Sequence, residues 1–230
     1  LANFIVCAII GDAEEASIEL CEAIRQAKKR GLSRNELYER LKQIEGVYIP
    51  GLFDVTYNTD GTIAAITPQS ADYAMVKRRF LDDIDQASFP TNPIVPFMNT
   101  VHNRVALEIA RGCTRGCRFC QAGYIYRPVR ERSPQKIVDL LSESLGNSGY
   151  DEISLLSLST GDYSCIEPLL KELMGRHADD NVAVSLPSLR VGSLTPELME
   201  EIKKVRKTGF TLAPEAGTER MRRVINKGIS

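Results

Sequence analysis

Strand-like and helix-like segments alternate along the second half of the chain, and this alternation constrains the fold more than any other feature. Short apolar segments typical of strands lie at 105–110, 153–159, 182–186 and 210–213. Between them, apolar residues recur with the spacing of amphipathic helices. The alternation predicts a parallel sheet whose strands are joined by right-handed helical crossovers. A closed eight-stranded barrel needs about 200 residues or more, so this half is too short to form one.

The first residues follow a different pattern. A continuous apolar run at 3–10 predicts a buried strand, and Asp12 is placed to cap the helix that follows and ends at Gly31. Ser33 and Glu36 have the spacing of a capping box, which predicts the start of a second helix.

Residues 47–66 predict a β-hairpin whose turn lies at 58–61. The prolines and charged residues of 67–100 are typical of a linker. Because the chain starts at Leu1 and ends at Ser230 just after a helical pattern, we expect it to be a fragment of a longer protein.

Composition excludes several classes of protein. The 230 residues are 43% hydrophobic and 26% charged with a net charge of −1, which excludes a disordered or collagen-like chain. No apolar run approaches the roughly 18 residues of a membrane span, and the near-zero net charge argues against a nonspecific polyanion binder. Since six cysteines in this length do not form a disulfide scaffold and no secretory signal is visible, we expect a cytoplasmic protein.

Three of the cysteines lie in one short loop directly after the strand at 105–110. Cys113, Cys117 and Cys120 are spaced by four and three residues, so their thiols can converge on one soft metal centre. Thiolates favour zinc, copper(I) or iron–sulfur clusters. A structural zinc site needs a fourth ligand, and the nearest histidine is His102, ahead of the strand. Three cysteines on a four-iron cluster leave one iron open to a ligand.

With the aromatic Phe119 before the last cysteine, this loop resembles the CxxxCxΦC loop of the radical S-adenosylmethionine (SAM) superfamily. The resemblance implies a [4Fe-4S] cluster on Cys113, Cys117 and Cys120, SAM on the open iron, and Phe119 along the adenine side. It also implies reductive cleavage of SAM to methionine and a 5′-deoxyadenosyl radical, with an electron donor such as flavodoxin or ferredoxin.

Two further segments carry the resemblance. Residues 158–162 are similar to the "GGE" segment that receives the SAM amino group in this superfamily, which implies SAM contacts for Gly161 and Asp162. Residues 213–220 are similar to a segment in which a Glu contacts SAM and a basic residue twelve positions later pairs with the carboxylate of SAM. The similarity implies these roles for Glu215 and Lys227. The residues alone leave two alternatives open: a strand-to-helix turn capped by Asp162, and a helix C-terminal cation at Lys227.

Arginines crowd around the cysteine loop, and they fit two interpretations. They can offset the negative charge of thiolates and pair internally, or they can bind a phosphate-rich substrate such as RNA beside Tyr124 and Tyr126. The arginines are Arg111, Arg115, Arg118, Arg127, Arg130 and Arg132.

The start of the chain is similar to the tail of a cobalamin-binding-type α/β domain, through the sequence Gly-Asp-Ala-Glu-Glu at 11–15. Longer segments, among them 101–104, 127–132 and 185–190, resemble an uncharacterised bacterial family of radical SAM proteins with such an N-terminal domain. Cobalamin is therefore a possible further cofactor, although its usual histidine ligand motif is not in this sequence.

The resemblance implies an α/β fold: an incomplete TIM-type parallel barrel preceded by the tail of the cobalamin-binding-type domain and a hairpin with a linker. The implied domains are 1–32 for the tail, 33–100 for the linker helix, hairpin and proline-rich linker, and 101–230 for the partial barrel. We expect a radical SAM enzyme acting on an unknown substrate, which RNA or a ribosome-linked target would fit. The alternative is a zinc- or cluster-containing RNA-binding or electron-transfer module without SAM chemistry.

Overall fold

The structure, a computed structural model, describes residues 4–193, 195–206, 209–210 and 212–229. The chain divides into two compact units, Leu1–Leu81 and Asp82–Ser230. Within the described residues, none of the helices combines the length and the apolar character needed to cross a membrane.

Among its described residues, the first unit contains two α-helices and two separate pairs of antiparallel strands. Strand β1 pairs with β2, and β3 pairs with β4. The elements are β1 (Ala8–Ile9), α1 (Glu14–Arg30), α2 (Arg34–Leu41), β2 (Val47–Tyr48), β3 (Phe53–Tyr57) and β4 (Ile63–Pro68).

The helix boundaries of this unit follow local sequence signals. Gly31 ends α1 in the left-handed conformation, with φ at 62°, and Ser33 and Glu36 form the predicted capping box at the start of α2. Both predictions are confirmed. The hairpin turn also lies where predicted, between β3 and β4, whereas Val47 belongs to β2 and pairs with β1.

Two predictions for the first unit are wrong. Only Ala8–Ile9 of the apolar run forms a strand, and Phe4 is 90% exposed, because β2 is a two-residue strand that covers little of the run. Residue 3 lies outside the described residues. Asp12 does not cap α1, whose N-cap is Ala13 without a side-chain hydrogen bond. Instead, the buried Asp12 carboxylate accepts the N–H of Leu81 at 2.8 Å.

The second unit alternates strands and helices as predicted. Its elements are β5 (Val105–Glu108), β6 (Ala110–Arg111), α3 (Ala122–Ile125), β7 (Arg130–Glu131), α4 (Pro134–Ser148), β8 (Glu152–Leu156), α5 (Ile166–His177), β9 (Ala183–Ser185), α6 (Pro196–Lys203) and α7 (Glu219–Val224). Ser133 caps α4 and Thr195 caps α6 through their side-chain oxygens, each followed by proline, as helix starts favour.

Strands β5, β8 and β9 form a parallel sheet in that order. Val105 lies opposite Ile153, and Ile153 lies opposite Val184, so the three strands run in register and their carboxyl ends meet at one edge. Helices α4 and α5 make the two crossovers. The predicted fourth strand is reduced, among the described residues, to a parallel bridge between Leu189 and Leu212; residue 211 lies outside them. The α/β fold with a parallel sheet is confirmed.

An apolar core stabilises this unit. Leu107, Leu141, Leu155 and Leu170 are completely buried, from strands on one side and helices on the other. Burial of such side chains stabilises a fold by about 1.5–3 kcal/mol each. The core thus holds the strands in place, and with them the sheet edge at which the loops after the strands begin.

Adjacent leucines in β8 test this core. We expect Leu155→Ala to lower the free energy of unfolding by about 2–5 kcal/mol, because Leu155 is fully buried and its removal leaves a cavity. Its matched control is Leu156→Ala, since Leu156 is 38% exposed and should lose less than about 1 kcal/mol. Urea unfolding followed by circular dichroism measures both, and equal losses would contradict the assignment of this core.

Candidate functional site

The cysteine loop begins and ends at a short antiparallel ladder. Strand β6 precedes the loop and β7 follows it, with Ala110 opposite Glu131 and Arg111 opposite Arg130. Gly112 starts the loop with φ at 93°, and a Cβ there would lie 2.6 Å from the carbonyl oxygen of Tyr126, so this position requires glycine. Both ends of the loop are therefore held by this ladder.

The three cysteines of the loop line one cavity of about 290 Å³. Cys113, Cys117 and Cys120 are each half-buried and take part in no disulfide. The N–H of Arg115 lies 3.5 Å from the Cys113 Sγ, and the Cys120 N–H donates to the Cys117 carbonyl at 3.0 Å. The loop thus places three cysteines on the wall of one common space. Within the described part of the chain, no three His, Cys, Asp or Glu side chains lie close enough together to hold one metal ion, so the three cysteines share a cavity without forming a closed set of ligands.

The rest of the cavity is built from segments that follow the other parallel strands. This is the end of a parallel α/β sheet where ligands bind. The segments supply Leu158 and Ser159 after β8, Pro187, Ser188, Leu189 and Arg190 after β9, and Ala213, Glu215 and Lys227 near α7. Arg115 and Phe119 of the cysteine loop complete the lining.

Glu215 and Lys227 form an ion pair inside this lining. The Lys227 Nζ lies 3.2 Å from the Glu215 Oε1 and 5.7 Å from the centre of the Phe119 ring, over its face. Glu215 has φ at 67°, in the left-handed region. The structure therefore brings these three predicted residues together with the three cysteines.

Gly161 and Asp162 lie next to this cavity and do not line it. They belong to a 3₁₀ turn, Thr160–Asp162, and Asp162 lines a smaller cavity of about 40 Å³ behind Cys113. A Cβ on Gly161 would lie 2.3 Å from the Ser193 Oγ, so that turn packs closely against the segment after β9.

Asp162 holds the cysteine loop to the end of β8. Its carboxylate receives two hydrogen bonds from Arg115, one of them 2.7 Å long from Nε to Oδ2, and one of 2.7 Å from the Ser159 hydroxyl. Burial raises the pKa of Asp162, but the hydrogen bonds from Arg115 and Ser159 outweigh it, so the pKa lies below its ordinary value. The hydrogen bonds to Asp162 likewise raise the pKa of Arg115 above its ordinary value, against the opposing effect of burial.

A second set of contacts joins the cysteine loop to the end of α7. The Arg118 N–H donates to the Ile225 carbonyl at 2.9 Å, and its guanidinium donates to the Val224 carbonyl. The Asn226 Nδ2 donates to the Gly116 carbonyl at 2.9 Å. Residues more than a hundred positions apart in sequence thereby set the shape of the loop.

Most of the arginines around the cysteine loop form ion pairs or are buried within the second unit. Arg111 pairs with Glu108 and Arg115 with Asp162. Arg130 and Arg132 are 7% and 3% exposed. This arrangement favours internal pairing over a phosphate-binding surface as the role of the cluster of arginines.

Sequence reasoning did not select Arg190 or Ser159 as site residues. Both residues follow parallel strands, at the sheet edge where the cysteine loop also lies. Their position after a predicted strand could have identified them as candidate site residues. Strand β7 was also missed, because two residues carry too little pattern to identify a strand.

The ion pair of Asp162 predicts a pH dependence of stability. A carboxyl group whose pKa is lowered by folding stabilises the fold above its unfolded pKa, about 3.9, and loses that contribution as the pH falls through the folded pKa. We expect Asp162→Asn to reduce the free energy of unfolding at pH 7 by up to about 1 kcal/mol, and the difference from wild type to shrink below about pH 4. Urea titrations across this range measure it. The exposed Asp151, changed to Asn, is the control, and a difference that persists in acid would contradict the role of the pair.

The contact of Asn226 with the cysteine loop is tested by an isosteric change. Asn226→Asp keeps the shape and the tolerance for φ at 55° but removes the donor to the Gly116 carbonyl. We expect deuterium exchange of the amides in 113–120 to become about 2- to 10-fold faster, as for the loss of one hydrogen bond. Asn181→Asp, at another left-handed asparagine with φ at 60°, is the control, and equal exchange in both variants would contradict the contact.

Comparison with known families gives two matches. The model described as "Radical SAM superfamily" matches residues 107–230, more than half of the chain. The model described as "Radical SAM proteins, N-terminal" matches residues 1–50.

Curated relatives match over part of their length. An uncharacterized protein of Methanocaldococcus jannaschii is 42% identical over 123 residues, 54% of this chain and 26% of that protein. The ribosomal protein uS12 methylthiotransferase RimO of Chlorobium phaeobacteroides is 27% identical over 75% of this chain and 38% of its own. A tRNA-2-methylthio-N(6)-dimethylallyladenosine synthase of Staphylococcus epidermidis is 28% identical over 52% of this chain and 23% of its own. The chain thus spans about a quarter to two fifths of the length of these relatives.

Solved structures share the fold at low sequence identity. The radical SAM methyltransferase TsrM of Kitasatospora setae superposes with a TM-score of 0.53 and 14% identity, covering 95% of this chain and 39% of TsrM. The cobalamin-dependent SAM radical enzyme OxsB superposes with a TM-score of 0.50 and 11% identity, covering 92% of this chain and 29% of OxsB. With the family model matching the parallel α/β unit and its cysteine loop, the chain belongs to the radical SAM superfamily.

Proposed function

We propose that the protein is a radical SAM enzyme that cleaves SAM reductively to methionine and a 5′-deoxyadenosyl radical. The observation that carries the proposal is the cavity at the carboxyl ends of the parallel strands. Three thiols of one loop line it together with the Glu215–Lys227 ion pair and the Phe119 ring.

The residues around the cavity fit an iron–sulfur cluster. Cys113, Cys117 and Cys120 are half-buried, unbridged thiols on a single loop, and thiolates are the ligands that such clusters take. Three cysteines leave one iron of a four-iron cluster without a protein ligand, which is where SAM would bind. When bound, the cluster supplies the electron for the cleavage of SAM.

The chain's own residues would position the two cofactors. Arg115 and Asp162 hold the cysteine loop against the end of β8. We assign Phe119 to the adenine side of SAM, and Gly161, Asp162, Glu215 and Lys227 to SAM binding. The protein's task is to orient the reacting groups and to exclude water, since the cofactor carries the chemistry.

We further propose an external electron donor of the flavodoxin or ferredoxin type, and a substrate among RNA or ribosome-linked targets. Two similar proteins support that substrate class through their names, one a methylthiotransferase of a ribosomal protein and the other a synthase of a modified tRNA base.

We also propose cobalamin as a second cofactor. The alternative of an RNA-binding zinc module is less favoured, because the radical SAM family model matches residues 107–230, which include the cysteine loop.

The test is anaerobic reconstitution of the purified protein with iron and sulfide. We expect about four irons per chain and, with dithionite and SAM, release of 5′-deoxyadenosine. Cys117→Ala should lose most of the iron and all of the 5′-deoxyadenosine, because it removes one of three cluster ligands. Cys165→Ala is the matched control, since Cys165 is equally half-buried but lies against the apolar core. Unchanged iron content in Cys117→Ala would refute the ligand assignment.

A further inference from the structure

The two charges of the Arg115–Asp162 ion pair border different cavities. Arg115 lines the larger cavity together with the three cysteines. Asp162 instead lines the smaller cavity of about 40 Å³, which it shares with Cys113. The side chain of Arg115 is 42% exposed and that of Asp162 is 19% exposed. The cation of the pair therefore borders the space that the cysteines line, and the anion is set back from it.

Arg115 also contacts a sulfur of the cysteine loop. Its main-chain N–H donates to the Cys113 Sγ at 3.5 Å. Its guanidinium donates two hydrogen bonds to the Asp162 carboxylate, and these hold the side chain in one orientation. The charged group and the main-chain donor of one residue are thus both placed beside the cysteines.

The lining of the larger cavity contains three other charged residues. Lys227 and Glu215 form an ion pair with each other, so their opposite charges largely cancel at a distance. Arg190 is a second cation near Asp162, with its Nε 4.0 Å from the Oδ1. Among the described residues of this lining, Arg115 is the charged residue that belongs to the cysteine loop itself.

We propose that the Arg115–Asp162 pair sets the reduction potential of the iron–sulfur cluster that the cysteine loop holds. The inference rests on the proposed function and deepens it. Reduction moves one electron from the external donor to the cluster, which becomes more negative by one charge, and no bond forms or breaks in this step. A nearby cation stabilises the reduced cluster and a nearby anion destabilises it. Arg115 therefore raises the potential, and Asp162 partly offsets this effect.

The test is an anaerobic redox titration of the cluster-loaded protein without SAM, followed by electron paramagnetic resonance of the reduced cluster. The measured quantity is the ratio of reduced to oxidised cluster at a fixed applied potential. We expect Arg115→Gln to lower this ratio by about 3- to 10-fold, because a cation is lost and Asp162 is left uncompensated. A 10-fold change corresponds to 59 mV for a one-electron couple.

The partner of Arg115 should give a shift of opposite sign. We expect Asp162→Asn to raise the ratio by about 3- to 10-fold, because the charge of Arg115 is then no longer offset. A general loosening of the loop would move both variants in the same direction, so the opposite signs distinguish an electrostatic role from a structural one. The double variant, Arg115→Gln with Asp162→Asn, should lie between the two single variants.

Two further variants serve as controls. Arg115→Lys keeps the charge and should stay closer to the wild-type ratio than Arg115→Gln. Arg176→Gln removes an arginine that pairs with Glu172 on α5 and should keep the wild-type ratio.

Opposite shifts in Arg115→Gln and Asp162→Asn would support the inference. Shifts in one direction, a wild-type ratio in either variant, or loss of the cluster from either would overturn it and leave the proposed function intact, since the pair would then only hold the loop in place. Wild-type protein that takes up no cluster would overturn both.

Discussion

The parallel pairing of β5 with β8 and of β8 with β9 is the constraint on which the site depends. Parallel strands place their carboxyl ends at the same sheet edge, so the segments after three successive strands meet there. The cysteines follow the first, Ser159 and Asp162 the second, and Arg190 the third. The apolar core beneath the sheet holds this edge rigid, and a site for reactive chemistry needs such a support.

Polar contacts between distant segments then shape the cysteine loop. Arg115 joins it to Asp162 after β8, and Asn226 joins it to the segment that follows α7. Each contact lies between residues far apart in sequence, so the loop acquires its form only in the folded unit. The shape of the cysteine loop thus depends on residues outside the three-cysteine motif.

Local signals in the sequence were sufficient wherever one residue type decides the backbone. Ser133 with Pro134 identified the start of α4, and Gly31 identified the end of α1. The same reasoning failed for Asp12, because its carboxylate had two possible partners and bonded to the Leu81 amide instead of capping α1. The prediction of a buried strand also failed for the first residues of the apolar run, where Phe4 is exposed. Apolar character alone does not say whether a neighbouring strand is long enough to cover it.

The sequence by itself determined the alternation of strands and helices and the three-cysteine motif, since both depend on the order and spacing of neighbouring residues. Only the tertiary structure decided how the charges are distributed. It paired Arg115 with Asp162 and Lys227 with Glu215, and joined Arg118 to the carbonyl of Ile225. Such pairing depends on distances across the sheet edge, which the linear order of residues does not contain.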